Sequence, residues 1–188
     1  MLQTDEELIF LCKQGDDTAF SELMRRYIKP IYNFVRQYIK TEADAEDATQ
    51  DALYKAWKHA KKFKAGNTFK SWMYTIARNT ALDHIKKKKT IRFSELDNRE
   101  DDTEFSDTLT DTEPLPPELF ERKEIVEELR EALTILHPDH RAIMLMYYHE
   151  DMTFEEISKT IQIPMNTVKS WHRRSLIKMR EYWEKKKK

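Results

Sequence analysis

The sequence predicts an all-α protein of two small helical domains joined by a flexible acidic linker, with a helix-turn-helix in the second domain. Three observations lead to this fold class. Only two glycines occur among 188 residues, which disfavours turn-rich β architectures, because tight hairpins need residues that tolerate positive φ. Apolar side chains recur at three- and four-residue spacing along most of the chain, as they do in amphipathic helices. This periodicity stops in one acidic stretch that ends in prolines.

The composition also excludes several classes of function. Two glycines are too few for a P-loop or a dinucleotide-binding turn, and the single cysteine, Cys12, excludes an internal disulfide framework and an all-cysteine metal site. No apolar run approaches the roughly 20 residues that span a bilayer, and the first ten residues do not have the pattern of a signal peptide. We therefore expect a soluble, cytoplasmic protein with no cofactor and no bound metal.

Four helices are predicted in the first domain, residues 1–89. The first begins at a capping box formed by Thr4 and Glu7, and the second begins near Asp16 and carries a broad apolar stripe. Thr41 begins the third helix, in which four alanines at regular spacing allow close packing. The fourth runs from about 68 to 88, and its predicted inner face contains Phe69, Trp72, Met73, Ile76 and Ala81.

A linker is predicted over residues 90–116, where acidic and hydroxyl side chains dominate and too little apolar surface is available to offset chain entropy. Helical patterning resumes in the second domain, residues 117–188. There, a capping box at Thr153 and Glu156 begins a short helix, a tight apolar turn follows, and Pro164 begins another helix. This order is typical of a helix-turn-helix, although the turn lacks the glycine that is often found there.

The net charge of −1 conceals two strongly basic segments. Residues 61–93 carry a net charge of +9 and residues 161–188 carry +7, whereas residues 94–121 between them carry −10. A single charge run is usually a solvated face. Two basic segments, each ending a patterned helical region, indicate two contacts with a nucleic acid.

The fourth predicted helix combines cations with aromatic side chains, as in proteins that stack unpaired bases and hold the nucleic acid backbone. Tyr74 is the better stacking candidate because it lies off the predicted apolar stripe. Phe69 and Trp72 fit either a core or a stacking role. In the third helix the acidic cluster Asp44, Asp47 and Asp51 would suit a divalent metal or acid–base catalysis. The six histidines are scattered, so we favour a protein-docking surface and expect no enzymatic activity.

Three segments together resemble the extracytoplasmic-function (ECF) sigma factors, the small two-domain initiation subunits of bacterial RNA polymerase. They are DAEDATQDALYKAW (44–57), FKSWMYTIARNTALDHIKKKK (69–89) and TFEEISKTIQIPMNTVKSWHRRSLIKMR (153–180). The resemblance implies an alternative sigma factor that binds core polymerase, opens and captures the −10 promoter element with its first domain, and recognises the −35 duplex with its second domain.

The resemblance also assigns residues to each contact. Against the β′ clamp helices of core polymerase it places Asp44, Asp47, Gln50 and Asp51. At the −10 element it places Asn67, Lys70, Tyr74, Arg78 and Asn79. At the −35 element it places Asn166, Thr167, Lys169, Ser170, Arg173 and Arg174. Two departures leave the −35 preference open, since Asn166 stands where relatives often have glycine and Trp171 replaces a frequently basic residue.

The same family implies further partners, namely promoter DNA, the β flap of the polymerase and a membrane-anchored anti-sigma factor released by a stress signal. Two other interpretations stay open on the residues alone. A stand-alone helix-turn-helix regulator accounts for the second domain but not for the basic aromatic helix. A nuclease or other metal enzyme accounts only for the acidic cluster.

Overall fold

The computed structural model describes residues 3–64, 68–94 and 128–186, and within these ranges every regular element is helical. The N-terminal domain contains α1 (Asp5–Lys13), α2 (Asp17–Val35), α3 (Glu42–His59) and α4 (Phe69–Ser94). The C-terminal domain contains a helix over residues 128–134, which we call α5. It continues with α6 (Pro138–Tyr148), α7 (Phe154–Ile161) and α8 (Met165–Lys186). The predicted all-α fold class, including the helix-turn-helix formed by α7 and α8, is confirmed.

Local sequence determines where several helices begin. The Thr4 hydroxyl accepts the amide hydrogen of Glu7 and the Glu7 carboxylate accepts that of Thr4, so the predicted capping box is present. The same reciprocal pair, Thr153 and Glu156, begins α7. Thr41 is at the N-cap position of α3, but its side chain makes no capping hydrogen bond. Of the three threonines predicted to begin helices, two therefore have the expected capping hydrogen bonds.

The fourth helix continues further than the sequence suggested. It ends at Ser94, five residues beyond the predicted domain boundary at 89, so the first residues assigned to the linker are helical. Residues 95–127, which contain the rest of that linker and the start of the second domain, lie outside the described part of the chain.

Alanines and aromatic rings fill the core of the N-terminal domain. The four alanines of the predicted seam in α3 have no exposed surface, which lets α3 pack closely against α2 and α4: Ala45, Ala48, Ala52 and Ala56. Phe34 of α2 meets the edge of Tyr74 of α4, with ring centroids 4.9 Å apart and planes at 77°. Edge-to-face pairs of this kind stabilise beyond the area they bury.

The two domains share one core in this structure. A single cluster of buried residues runs from Leu8 of α1 to Val168 of α8, and α4 packs against α7 as well as against α2 and α3. A smaller cluster around Leu136 and Met179 lies between α5, α6 and α8. Within the described residues, no helix is long and apolar enough to cross a membrane.

Candidate nucleic-acid interface

The outward face of α8 presents polar and basic side chains next to the helix-turn-helix turn. Val168, Ser175 and Met179 are buried beneath it. Of the six residues predicted for the −35 contact, Thr167 is half-buried and the other five are exposed: Asn166, Lys169, Ser170, Arg173 and Arg174. Their spacing of three and four residues places them on one side of a helix that can enter a DNA major groove.

Aromatic and imidazole rings hold α8 against α6. The Trp171 ring lies 4.9 Å from the His140 ring, and the His172 Nε2 is 3.1 Å from the Tyr148 hydroxyl. Burial lowers the pKa of both histidines below the ordinary value. Trp171, which stands where the family often has a basic residue, therefore packs inward and supports the helix instead of facing DNA.

The turn between α7 and α8 has a left-handed residue where a glycine is common. Gln162 has φ 58° and ψ 42°, and its amide donates to the Ser158 carbonyl at the end of α7. For an L-residue this conformation costs about 1–2 kcal/mol relative to right-handed backbone. The turn therefore forms without a glycine, and the backbone strain lies at Gln162.

Gln162→Gly is expected to raise the free energy of unfolding by roughly 0.5–1 kcal/mol, because glycine adopts the left-handed conformation without steric cost but loses more chain entropy on folding. Urea unfolding followed by circular dichroism measures this change. Gln162→Ala is the matched control, since alanine keeps the Cβ and should bring no gain. Equal stability of the glycine and alanine variants would contradict this account of the turn.

The cationic side chains predicted on α4 are engaged by the C-terminal domain. Lys70 Nζ donates to the carbonyl oxygen of Glu150 at 2.7 Å. Arg78 Nη2 pairs with Asp139 Oδ1 at 3.2 Å, and both of these side chains are mostly buried. Asn79, the residue after Arg78 on α4, is exposed. Of these three predicted −10 residues, Lys70 and Arg78 are engaged by the C-terminal domain and Asn79 is open.

The prediction that Tyr74 is a base-stacking residue is wrong for this structure. Its ring is fully buried, and its hydroxyl is buried without a hydrogen-bond partner among the described residues. Burial and the nearby Glu150 carboxylate raise the pKa of the phenol far above its ordinary value. The predicted apolar stripe of α4 was too narrow, because the Tyr74 ring also packs against Phe34 of α2 within the N-terminal domain.

Other predicted −10 features fall partly beyond the described residues. Asn67 and its neighbour Gly66 lie outside them. Phe69 is fully buried and Trp72 packs against it, with ring centroids 5.6 Å apart. Of the lysine run that ends the predicted helix, Lys86, Lys87 and Lys88 are exposed on α4.

The four residues predicted to meet core polymerase divide into two pairs. Asp44 forms an ion pair with Lys88, whose hydrogen bond holds the pKa of that carboxyl below its usual value. Asp51 pairs with Lys55 at 2.9 Å, and both acids are half-buried. Asp47 and Gln50 are exposed. The open part of the predicted face is therefore narrower than the sequence suggested.

Two exposed aromatic residues extend this open part of α3, and the sequence reasoning missed them. Tyr54 is 56% exposed and Trp57 is 53% exposed, with ring centroids 5.8 Å apart. With Asp47 and Gln50 they form a stripe at spacings of three, four and three residues, which we call the α3 stripe. The alanine seam could have revealed these two residues in the sequence, because it identifies the buried side of α3 and therefore the side that faces outward.

Among the described residues, no group of three or more histidine, cysteine or acidic side chains could hold a metal ion. The acidic cluster of α3 is instead divided between contacts with basic side chains and the open α3 stripe. The described residues thus present an exposed basic face on α8, a second cationic helix, α4, and the exposed aromatic residues of the α3 stripe.

Two family models match the chain in order. Sigma-70 region 2 matches residues 23–91, which contain α3 and most of α4, and Sigma-70 region 4 matches residues 126–179, which contain the helix-turn-helix. The fold and the two cationic helices therefore define a sigma-70-type sigma factor.

Characterised relatives narrow this class. The chain is 28% identical to the ECF RNA polymerase sigma factor SigW of Bacillus subtilis, covering 84% of this chain and 85% of the relative. It is 28% identical to the RNA polymerase sigma-H factor of Pseudomonas aeruginosa, covering 89% and 88%. It spans only 65% of the length of the ECF sigma factor SigE of Mycolicibacterium smegmatis, at 27% identity. The chain belongs to the extracytoplasmic-function sigma factors.

Solved structures share the fold. The sigma factor RpoE from Bartonella quintana, in complex with the anti-sigma factor NepR, aligns with a TM-score of 0.67 at 20% identity, covering 88% of this chain and 96% of that one. CnrH, in complex with the cytosolic domain of CnrY, aligns with a TM-score of 0.66 at 17% identity, covering 96% and 97%.

Proposed function

We propose that this chain is an alternative sigma factor that binds core RNA polymerase and directs it to specific promoters. One observation carries the proposal: a Sigma-70 region 2 match over residues 23–91 is followed by a region 4 match over residues 126–179 in the same chain. Proteins of this class are DNA-binding initiation factors and not catalysts. The cytoplasm, where bacterial RNA polymerase works, is the compartment that this function requires.

The α8 face is our candidate for the −35 contact. Arg173 and Arg174 are exposed one turn beyond Lys169 and Ser170, and arginine can make paired hydrogen bonds to guanine edges or hold phosphates. The inward packing of Trp171 keeps this face polar. Sequence preference at −35 is proposed to come from Asn166, Lys169 and Arg173.

Arg173→Ala is expected to weaken holoenzyme binding to promoter duplex by about 1–3 kcal/mol if the guanidinium contacts a base. If the guanidinium contacts a phosphate, the slope of the logarithm of the binding constant against the logarithm of the salt concentration should become shallower by about one. Fluorescence anisotropy over a salt series distinguishes the two. Arg25→Ala is the matched control, because Arg25 is exposed on α2 and pairs only locally with Glu22. Unchanged affinity and unchanged salt slope for Arg173→Ala would remove Arg173 from the interface.

The −10 contact is proposed to use the N-terminal half of α4. Lys70 and Arg78 supply positive charge and Asn79 an exposed amide, which together suit a single strand held by its backbone. Asn67 remains a proposed base contact on sequence grounds alone. The proposal excludes Tyr74, whose buried ring supports α4 from beneath.

Docking on the β′ clamp helices is proposed for the α3 stripe. The exposed carboxylate of Asp47 and amide of Gln50 can pair with polar groups at the rim of an interface, while Tyr54 and Trp57 supply the large apolar contact area that anchors stable interfaces. Asp44 and Asp51 hold α4 to α3 through Lys88 and His84 and would contribute indirectly, by fixing the angle between the two helices. The β flap is proposed to meet the C-terminal domain.

An anti-sigma factor is a proposed partner as well. RpoE of Bartonella quintana was solved with the anti-sigma factor NepR, and CnrH with the cytosolic domain of CnrY. The exposed apolar residues of this chain, among them Ile28 and Tyr148, provide surface for such a protein. A membrane anchor on that partner is an expectation from the family.

Run-off transcription tests the proposed function directly. Purified core polymerase is supplied with a pool of promoter fragments, with and without this protein. Transcripts from a subset of templates only when the protein is present would support the proposal, and the active templates would define both promoter elements. No transcripts, with specific duplexes still bound by the isolated protein, would favour a stand-alone helix-turn-helix regulator.

A further inference from the structure

Met165 is an exposed apolar side chain at the start of α8, the second helix of the helix-turn-helix. It is the first residue of that helix and is 40% exposed. Ile163 packs against the larger core cluster and Val168 belongs to it, whereas Met165 is a member of neither described cluster. Core packing therefore does not account for an apolar residue at this position.

The start of α8 is also held in place without Met165. Ile163 and Val168 stand at the two positions of a hydrophobic staple, on either side of the helix start. The Pro164 carbonyl oxygen accepts the amide hydrogen of Val168 at 3.1 Å. Ile163 donates its amide hydrogen to the Ser158 carbonyl oxygen at 3.2 Å, and its own carbonyl oxygen accepts the Ser158 hydroxyl at 2.6 Å. These contacts fix the backbone next to Met165, so its side chain projects from a rigid position.

Met165 continues the exposed face that we propose for the −35 contact. Lys169 and Arg173 follow it at successive spacings of four residues and are exposed, and Asn166 is exposed beside it. Residues four apart share a side of a helix, and long helical side chains point back toward the N-terminus. Met165 therefore lies at the leading end of this face, where the second helix of a helix-turn-helix contacts base edges.

An apolar side chain at this place has one matching partner among the base edges of a major groove. Guanine, adenine and cytosine present hydrogen-bond donors and acceptors there, whereas thymine also presents a C5-methyl group. A methionine thioether is only a weak hydrogen-bond acceptor, and its flexible chain suits an irregular apolar contact. Asn166, Lys169 and Arg173 can contact polar base atoms, which leaves the methyl group as the match for Met165.

We propose that Met165 determines part of the −35 specificity by packing against the C5-methyl group of a thymine. The inference rests on the proposed function and deepens it, since it assigns one base type to one position of α8. Burial of a single methyl group changes affinity by about fourfold. One thymine of the −35 element should therefore account for a preference of that size over uracil.

Deoxyuridine tests the inference, because it differs from thymidine only by the missing methyl group. Templates that are active in run-off transcription provide the −35 duplex, and each thymine of its two strands is replaced in turn. Holoenzyme with the wild-type chain is expected to lose about fourfold in affinity at one of these positions. Holoenzyme with Met165→Ala should bind the thymine and uracil duplexes equally. Competition measured by fluorescence anisotropy gives all four dissociation constants, and the cycle separates the contact from any change in duplex stiffness.

Leu176→Ala is the matched control, because Leu176 is an apolar residue of the same helix with a similar exposure of 42%. It lies about three turns further along α8 on nearly the same side, so this variant should keep the full preference for thymine. Met165→Leu, which keeps an apolar side chain of similar size, should keep most of that preference. Since both positions are exposed, urea unfolding should show little change in stability for any of these variants.

Each outcome has one meaning. Equal binding of thymine and uracil duplexes by the wild-type holoenzyme at every position overturns the role of Met165 and leaves the proposed function intact. A thymine preference that Met165→Ala retains assigns the methyl group to another residue and also overturns that role. Loss of the preference in Leu176→Ala as well would reveal an indirect effect of α8, with the same consequence. Wild-type protein that yields no transcript overturns the proposed function itself.

Discussion

Trp57→Ala is expected to weaken the binding of core RNA polymerase at least about tenfold while changing the free energy of unfolding by less than about 1 kcal/mol. The side chain is 53% exposed and its described ring partner is the equally exposed Tyr54. The fold thus gains little from Trp57. An exposed pair of large rings on a rigid helix loses little conformational entropy on binding, which is why aromatic residues anchor protein interfaces.

The measurement is a titration of labelled protein with core polymerase, paired with urea unfolding of the same sample. Ile28→Ala is the matched control, because Ile28 is a large apolar residue of α2 with a similar exposure of 52% and lies off the α3 stripe. If Ile28→Ala weakened core binding and Trp57→Ala did not, docking would have to be moved from α3 to α2.

The local features of this fold follow from local chemistry. The capping boxes at Thr4 and Thr153 are present because their partners lie three residues away in sequence. The alanine seam of α3 is buried because small side chains at helical spacing let neighbouring helices approach. Such features need only the residues on one turn or one face, and the sequence contains all of them.

Features that depend on contacts between distant segments could not be predicted in this way. The periodicity of α4 alone puts Tyr74 outside the core, whereas its buried ring packs against Phe34 of α2, forty positions earlier, and its hydroxyl lies near Glu150 of the C-terminal domain. The division of the acidic cluster has the same origin, since Asp44 and Asp51 meet Lys88 and His84 of α4. Helical spacing gives the face of a residue but not what packs on it.

The domain boundary illustrates a different limit. The apolar pattern of the fourth helix stops before Thr90 and predicts that the helix ends in the preceding lysine run. The helix nevertheless continues to Ser94. Lysine and arginine have good helix propensity, and positive charge near a helix C-terminus interacts favourably with the macrodipole, so the backbone can stay helical where the apolar pattern stops. An apolar pattern therefore identifies only the packed part of a helix, and the whole helix can be longer.

Phe69→Ala is expected to lower the free energy of unfolding by about 3–5 kcal/mol, which is a large share of the ~5–15 kcal/mol typical of natural proteins. The ring is fully buried at the start of α4. It meets Tyr27 of α2 edge-on, with centroids 5.1 Å apart, and lies 5.6 Å from the Trp72 ring. Its removal leaves a cavity where α2 and α4 meet, and rigid neighbours on both sides limit how far that cavity can collapse.

Urea unfolding followed by circular dichroism measures the loss, and Phe10→Ala is the control because Phe10 is 60% exposed on α1. The control is expected to change the free energy of unfolding by less than about 0.5 kcal/mol. The sequence alone is compatible with either a core or a base-stacking role for Phe69, and the two roles predict different results for Phe69→Ala. If Phe69 stacked on a base, Phe69→Ala would weaken single-strand binding and leave the free energy of unfolding unchanged. If Phe69 is a core residue, the same substitution lowers the free energy of unfolding. In that case Phe69→Leu, which refills much of the cavity without an aromatic face, should recover both stability and transcription.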